Sequence, residues 1–178
     1  MKRRDLVYGY FTSMYGVAGV LIIVCLEMLG KISMGKAFII SMIISGLIEY
    51  LTSLFLEKIF GIRFWNYTKL KPNIQGRVNL WYLILFGLIG VCWGKVYPYI
   101  MNLLNFDYKI MGVVSIMIFI FFNWNFIMTG IIFSRYKKRR EGILPQSKFE
   151  KFLDIKYSDK RIKTIFPAVE VVEGIIIE

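Results

Sequence analysis

Serine and glutamate residues recur at every fourth position through one apolar stretch of this 178-residue sequence. They are Ser41, Ser45, Glu49, Ser53 and Glu57, with Thr52 beside them. Residues four apart lie on one side of an α-helix, so the spacing predicts a polar stripe. A charged residue at the centre of an apolar helix costs on the order of 2.5–3.5 kcal/mol and usually faces other helices or water. Two roles stay open for the stripe. Hydrogen bonding between packed helices is favoured, and the alternative is a translocation path or lipid-headgroup site.

Residues 57–77, at the end of this stretch and beyond it, combine arginines, aromatic residues and turn residues. The guanidinium groups of Arg63 and Arg77 suit bidentate contacts with carboxylates or phosphates. They either clamp Glu57 and Glu49 in a structural ion-pair cluster, which we favour, or form a surface that binds phosphate or a partner. Gly76 is expected to give the chain the permissive backbone of a tight turn. The candidate contact residues of this loop are Arg63, Trp65, Asn66, Tyr67, Asn73, Gly76 and Arg77.

Two further groups of residues predict contacts between helices. Glycines at positions Gly87, Gly90 and Gly94 leave one helix face bare, which allows a neighbouring backbone to approach closely. We interpret this face as a packing surface, with a ligand site as the minor alternative. In a later apolar stretch, the amides of Asn123 and Asn125 are expected to hydrogen-bond to another helix, or to line a pore. Thr129 follows them in the same stretch.

The composition indicates the class of protein. Hydrophobic residues make up 57% of the sequence and aromatic residues 17%, and the mean hydropathy is +0.57. Soluble domains average about 45–50% apolar residues even when glycine is counted. The sequence has no histidine and two isolated cysteines, which excludes His-based triads and His-ligated or Cys-only metal sites. We therefore expect an integral membrane protein with no cofactor and no nucleotide-binding site, rather than an enzyme.

Four apolar stretches reach the length of about 20 residues that a membrane-spanning helix needs. They cover residues 6–29, 37–56, 80–103 and 111–133. The predicted fold is all-α: a polytopic bundle of four transmembrane helices within residues 1–140, followed by a cytoplasmic amphipathic tail, residues 141–178. Residues 8–16 are only weakly apolar, so this part of the first stretch either spans the membrane or forms a re-entrant element.

The positive charge of the chain predicts its orientation. Lysine and arginine number 23 against 12 acidic residues, which gives a formal net charge of +11. Cytoplasmic loops of membrane proteins retain lysine and arginine, and this explanation is favoured over nucleic-acid binding. An arrangement with both termini in the cytoplasm places most of these residues on that side. We therefore expect a multi-pass protein of a bacterial cytoplasmic membrane.

The tail contains apolar residues at helical spacing with lysines among them. The apolar residues are Phe149, Phe152 and Leu153, and the lysines are Lys148, Lys151 and Lys156. This pattern predicts a short helix that either lies on an anionic leaflet or packs against the protein, and both alternatives stay open. Residues 169–178 are expected to form a strand or a docking segment.

The stripe and the loop together resemble a known family. Glu49-Tyr50-Leu51-Thr52-Ser53, Glu57-Lys58, Arg63-Phe64-Trp65-Asn66-Tyr67 and Asn73-Ile74-Gln75-Gly76-Arg77 resemble, in this order, motif blocks of the putative ABC-transporter type IV permeases, which are CmpB-like bacterial membrane proteins. The resemblance covers about residues 8–135. Asn66 replaces the usual aspartate, the family's proline-rich Tyr-Gly block is reduced, and a helix that usually precedes this region is expected to be lacking.

The resemblance implies transport but assigns neither a substrate nor catalytic residues. We expect a permease-like subunit that depends on a separate ATPase and forms homo- or hetero-oligomers. A non-transporting scaffold that docks a cytoplasmic partner is the alternative. An intramembrane enzyme acting on lipid, with Glu49 or Glu57 as acid or base, is least favoured because no nucleophile or metal set accompanies the carboxylates.

Overall fold

The computed structural model describes residues 5–103 and 108–172, and within these ranges the chain is mostly helical. The six helices are α1 (Ser13–Leu29), α2 (Met34–Phe60), α3 (Leu80–Leu103), α4 (Tyr108–Arg140), α5 (Lys148–Lys156) and α6 (Asp159–Ile165). The strands are β1 (Ile62–Arg63), β2 (Asn73–Ile74), β3 (Val78–Asn79) and β4 (Glu170–Val171). Strand β1 pairs antiparallel with β4, and β2 pairs antiparallel with β3. These two short ribbons are the difference from the all-α prediction.

Three helices are long and apolar enough to cross a membrane, rather than the four that the sequence predicts. They are α2, residues 80–97 of α3 and residues 109–140 of α4. Helix α1 is equally apolar but has 17 residues. At 1.5 Å per residue it is about 26 Å long, against a hydrocarbon core of about 30 Å. The predicted first span, residues 6–29, therefore begins too early, because the helix starts at Ser13.

Residues 6–12 are not helical but extend along α4. Because no water can bond a bare backbone inside a membrane, such a segment needs partners from the protein. The amide of Val7 donates to Thr129 Oγ1 (3.0 Å), and the amide of Tyr8 donates to Asn125 Oδ1 (3.1 Å). Asn125 Nδ2 in turn donates to the Tyr8 carbonyl (2.6 Å). The expectation that the Asn125 amide bonds to another helix is therefore wrong, since Asn125 bonds to a non-helical loop instead, and Thr129 bonds to the same loop.

The carboxylate of Asp5, eight residues before Ser13, bonds to the first residue of α1. Asp5 accepts hydrogen bonds from the amide and the hydroxyl of Ser13, at 2.8 and 2.7 Å. An acidic group at a helix N-terminus satisfies free amides and complements the helix dipole. The remaining asparagine of the predicted set, Asn123, donates to the Phe119 carbonyl of its own helix (2.8 Å) rather than to a neighbour.

The chain forms two compact units. One, here called the tail unit, comprises Met1–Ser13, Phe55–Trp65 and Val114–Glu178. The other, the hairpin unit, comprises Met14–Leu54 and Asn66–Val113. The predicted division at residue 140 into a membrane domain and a cytoplasmic tail depends on where the bilayer lies, and it stays a prediction.

Aromatic rings form the core of the tail unit. Phe133 of α4 lies between Phe64 and Phe166, with ring centroids 5.3 and 4.9 Å apart. Ile62 of β1 and Ile162 of α6 are also fully buried. The strand expected near the end of the chain is present at residues 170–171, where β4 pairs with β1, whereas residues 173–178 lie outside the described residues. The tail is thus folded onto α4 and β1.

Ion pairs attach α5 to α4. Asp154 accepts from Nε and Nη2 of the buried Arg135 (2.9 and 2.8 Å) and from Nη1 of Arg139 (2.7 Å). The hydrogen bond from Arg135 is the main cause that lowers the pKa of Asp154, with Arg139 adding to it. Leu153 is buried, whereas Phe149 is half-exposed. Helix α5 therefore packs on the protein through one face, and contact of its other face with a leaflet stays a prediction.

Replacing Asp154 tests how far this ion pair holds the tail in place. In Asp154→Asn the buried Arg135 guanidinium loses its closest counter-charge, so we expect α5 docking to weaken by about 2 kcal/mol. Trypsin should then cleave at the α5 lysines more than about tenfold faster at neutral pH, when local opening precedes cleavage. Asp159→Asn is the matched control, because Asp159 pairs with Arg139 but is 57% exposed. Equal cleavage of both variants would contradict the prediction.

Acidic pH should also weaken the docking of α5 on α4. Backbone donation from Gln146 and the Lys138 ammonium lower the pKa of Glu150, and the pKa of Asp154 is lowered as described above. Groups with lowered pKa values stabilise the folded state above their ordinary values, 4.5 and 3.8, and this contribution is lost as the pH falls below them. We expect hydrogen exchange of α5 amides, corrected for intrinsic rate, to accelerate below pH 4.5. An unchanged protection factor down to pH 3 would exclude this account.

Candidate functional site

Helix α2 buries its polar stripe and exposes its apolar side chains. Within the hairpin unit, the buried positions recur every four residues: Ala37, Ser41, Ser45, Glu49 and Ser53. The opposite side carries apolar residues that are each more than half exposed: Ile39, Ile43, Leu47 and Leu51. This is the reverse of a surface helix in water. It suits a helix whose apolar side contacts lipid and whose polar side contacts protein.

Glycines of α3 allow it to pack closely against the N-terminal part of the stripe, near Ser41. A Cβ atom added at Gly90 would stand 1.9 Å from Ser41 Oγ, and one at Gly87 would stand 2.6 Å from the Phe38 ring. Ser45 Oγ donates to the Ser41 carbonyl of its own helix (2.7 Å). Gly94 differs, because a Cβ there would meet nothing within 4 Å. A packing role for Gly94 would require another chain and stays a prediction.

The buried carboxylate of Glu49 receives a hydrogen bond from the loop that follows α2. Tyr67, which is itself buried, donates its hydroxyl to Glu49 Oε1 at 2.7 Å. The Tyr67 ring packs on Tyr82 of α3, with the centroids 5.2 Å apart. A hydrogen bond to an ionised acceptor is stronger than a neutral one, and removing water strengthens it further. The loop is thus fastened to the middle of α2 rather than to its end.

Arg77 makes a second attachment one helical turn further along. Its Nη1 donates to Ser53 Oγ (3.1 Å), and its guanidinium carbon lies 5.8 Å from the centroid of the Tyr50 ring. Tyr50 itself donates its hydroxyl to Gln75 Oε1 (3.0 Å). Side chains four residues apart on a helix are neighbours, so Ser53 places this attachment one turn beyond that of Glu49 on the same side of α2.

The local fold of residues 66–79, here called the hairpin, explains how both side chains reach α2. Strands β2 and β3 are joined by a turn in which Gln75 and Gly76 adopt φ values of 52° and 68°. A Cβ at Gly76 would also stand 2.7 Å from Thr68 Cγ2. Glycine is therefore required at this position for two reasons: its backbone adopts a positive φ, and a side chain would clash with Thr68. Asn66, at the start of the hairpin, accepts from the Thr68 amide (3.0 Å).

Sequence reasoning missed Asn79, which organises the base of the hairpin. This fully buried side chain donates through Nδ2 to the carbonyls of Leu70 (2.8 Å) and Pro72 (2.9 Å). Its Oδ1 accepts from the Trp81 amide (3.0 Å) at the start of α3. An asparagine directly before an apolar helix is a common N-cap, and that signal was present in the sequence.

Of the remaining predicted site residues, Glu57, Arg63 and Trp65 belong to the tail unit. Arg63 forms an ion pair with Glu57, and Trp65 is buried. Glu57, and Thr52 of the hairpin unit, are only partly buried. Arg63 thus engages Glu57 and Arg77 engages Ser53, and a single cluster of both arginines stays a prediction.

The tip of the hairpin is exposed and can contact other molecules. This tip, residues 68–75, carries Lys69 and Lys71 together with two apolar side chains, Leu70 and Ile74, and all four are exposed. The arginines of the loop are already engaged within the chain. A phosphate or partner would therefore meet lysines and apolar groups at the tip rather than Arg63 or Arg77.

Removing one hydroxyl tests the attachment at Glu49. Tyr67→Phe keeps the ring but leaves the carboxylate without this donor, so we expect a loss of about 2 kcal/mol of stability. For a chain of this size the melting temperature in detergent should fall by about 5 °C. Tyr99→Phe, at an exposed tyrosine of α3, is the matched control and should melt like the parent protein. Identical melting of the two variants would show that the bond contributes nothing.

Comparison with known proteins supports the resemblance seen in the motifs. Residues 1–130 match the model of the family described as putative ABC-transporter type IV. This range includes the whole α2 stripe, the hairpin and α3, and it covers well over half of the chain. No curated protein and no solved structure matches this chain. The predicted resemblance is thus confirmed, and the chain belongs to the putative ABC-transporter type IV family.

Proposed function

We propose that this chain is a permease-type membrane subunit of a transporter that obtains its energy from a separate ATPase subunit. The observation that carries the proposal is the attachment of the hairpin to the middle of α2, through Tyr67, Arg77 and Gln75. Family membership supports it, because this family is described as related to ABC transporters. The attachment supports this role, because a loop that moved freely could not transmit a force to α2.

The attached hairpin suits mechanical coupling. A force applied at the tip is passed to α2 through buried hydrogen bonds, since neither Glu49 nor Ser53 can exchange its partner for water. The tip offers two lysines beside exposed Leu70 and Ile74, a mixture that suits a protein partner with acidic and apolar groups. The stripe on α2 then braces the hairpin and does not line a path.

The proposal includes a topology. Lysines at the hairpin tip and the cluster Lys137–Arg140 at the end of α4 are placed in the cytoplasm by the positive-inside rule. Helix α1 is proposed as a fourth crossing, which local thinning of the bilayer permits for 17 residues. Both termini are then cytoplasmic, and the membrane is the bacterial cytoplasmic membrane. A translocation path would form between several copies or subunits.

A scaffold that docks a cytoplasmic partner is the second candidate. It is favoured by one observation: α5 exposes Phe149, Phe152 and Ile155 next to its lysines, although the helix is attached to α4. In that role the partner would bind α5 and would not hydrolyse ATP.

Reversing the charge of the hairpin tip tests the coupling role. We expect Lys69→Glu with Lys71→Glu to reduce the amount of ATPase that co-purifies in mild detergent by at least about fivefold, because rim charges control association. Lys31→Glu with Lys36→Glu is the matched control, since it makes the same charge change at two exposed lysines, one in the α1–α2 loop and one in the first turn of α2. Mass spectrometry and ATP hydrolysis of the purified samples measure the result.

Two results would contradict the proposal. One is an ATPase that is retained and hydrolyses ATP equally in both double variants. The other is a retained partner without ATPase activity that is lost when residues 141–178 are deleted, and this result would support the scaffold.

A further inference from the structure

A cavity of about 490 Å³ opens on the tail unit beside α4. We call it the α4 groove, and the end of α2, the C-terminal half of α4 and the start of α5 line it. Its volume lies within the range of about 300–1,000 Å³ that is typical of small-molecule sites. All lining residues belong to one compact unit, so the groove exists within that unit alone.

The groove is apolar at one end and cationic at the other. Along α4 it is lined first by Ile127 and Ile131 and then by Ser134, Arg135 and Lys138. These positions share one face of the helix, and the first and last lie about 16 Å apart along its axis. An amphiphile, with an acyl chain and a charged headgroup, has the same gradient of polarity over such a length.

Arg135 points to a ligand at the cationic end. Its side chain is 3% exposed, and Nε and Nη2 both donate to Asp154. Nη1 is buried without a hydrogen-bond acceptor among residues 5–103 and 108–172. The Glu150 Oε2 atom lies 3.8 Å away, which is beyond hydrogen-bond length. Buried donors are rarely left without an acceptor, so this nitrogen suits an anionic group that the chain does not supply.

The donors around the groove favour an anion. Arg135 and Lys138 contribute two positive charges and Glu150 one negative charge to the lining, and Asp154, which bonds to Arg135, supplies a second negative charge beside it. The Glu150 carboxylate already accepts from Lys138 Nζ (2.9 Å) and from the Gln146 amide (2.7 Å). The exposed Ser134 hydroxyl adds a neutral donor. Arg135 Nη1, the Lys138 ammonium and this hydroxyl together suit the acceptor oxygens of a phosphodiester.

Gly130 keeps the apolar end open. It lines the groove, and a Cβ built there would meet only the Phe60 ring, 4.0 Å away. The backbone of Gly130 needs no positive φ, so a larger side chain is compatible with the helix and would occupy the groove instead.

We propose that the α4 groove binds one acidic glycerophospholipid. An acyl chain lies along Ile127, Gly130 and Ile131, and the phosphate accepts hydrogen bonds from Arg135 Nη1, Lys138 and Ser134. Arginine and lysine are the usual partners of lipid phosphates at the membrane surface. The proposal requires that the chain is embedded in a bilayer, and it does not depend on the permease role.

Native mass spectrometry of the full chain in mild detergent tests the proposal. The protein is titrated with phosphatidylglycerol, with phosphatidylcholine of the same acyl chains, and with inorganic phosphate. We expect one bound phosphatidylglycerol per chain, at least about tenfold weaker phosphatidylcholine binding, and no stable phosphate adduct. Gly130→Leu should weaken phosphatidylglycerol binding about tenfold, and Lys138→Ala about fivefold.

Matched controls separate the groove from general lipid adhesion. Gly112→Leu makes the same change in α4 at a position with open space around it, and Lys137→Ala removes a lysine whose Nζ donates to the Ile59 carbonyl. Both controls should bind like the parent protein. If Gly130→Leu does not fold, Ile127→Trp fills the same groove from an exposed position.

Three results would overturn the proposal. They are equal binding of the two lipids, unchanged phosphatidylglycerol binding by the groove-filling variant, and inorganic phosphate binding as tight as lipid binding. The last result would identify a simple anion site. None of these results depends on whether an ATPase binds the hairpin tip, so the two proposals fail independently.

Discussion

A carboxylate inside an apolar helix must be compensated by other polar groups of the protein, and Glu49 places this requirement on the hairpin. In water the side chain would be hydrated at no cost, whereas in a bilayer every missing partner is expensive. The hydroxyl of Tyr67 donates to this carboxylate, and Arg77 attaches the same hairpin to Ser53 one turn further along. The need to compensate one charge thus fixes the path of some fourteen residues outside the helix, from about Asn66 to Asn79.

The same rule accounts for the tail unit. The non-helical backbone at Val7 and Tyr8 lies beside α4, and Asn125 and Thr129 are the side chains that bond to it. Further along α4, Arg135 is buried and its charge is balanced by Asp154 from α5. These polar residues of α4 therefore lie where a neighbouring segment needs a partner. Arg135 Nη1, which has no acceptor among the described residues, is the atom assigned to the phosphate of the proposed lipid.

These constraints suggest a division of roles between the two units. In the hairpin unit the hairpin is bonded to α2, and its exposed tip can contact a partner protein. In the tail unit a groove with an apolar end and a cationic end remains open, which suits a lipid. A subunit that is driven by a cytoplasmic partner needs both a rigid site for that partner and a defined contact with the bilayer. The two proposals together describe such a subunit, although each can hold without the other.

The sequence alone determined the features that depend on local spacing. Apolar length gave α2, α3 and α4 to within a few residues, except at the C-terminal end of α4 and where residues 104–107 lie outside the described residues. The four-residue period gave the stripe, and the motif order gave the family. Helical periodicity is a property of neighbouring residues, so it can be read without a structure.

Only the tertiary structure decided which partners these residues choose. Asn125 could bond to another helix or to a non-helical segment. Each arginine could bond to any of several polar groups of α2. The structure pairs Asn125 with Tyr8, 117 positions away, and Arg77 with Ser53, 24 positions away. The start of α1 and the docking of α5 likewise depend on Asp5 and Asp154 meeting particular donors. Such choices are set by distances between segments remote in sequence, and no local pattern contains them.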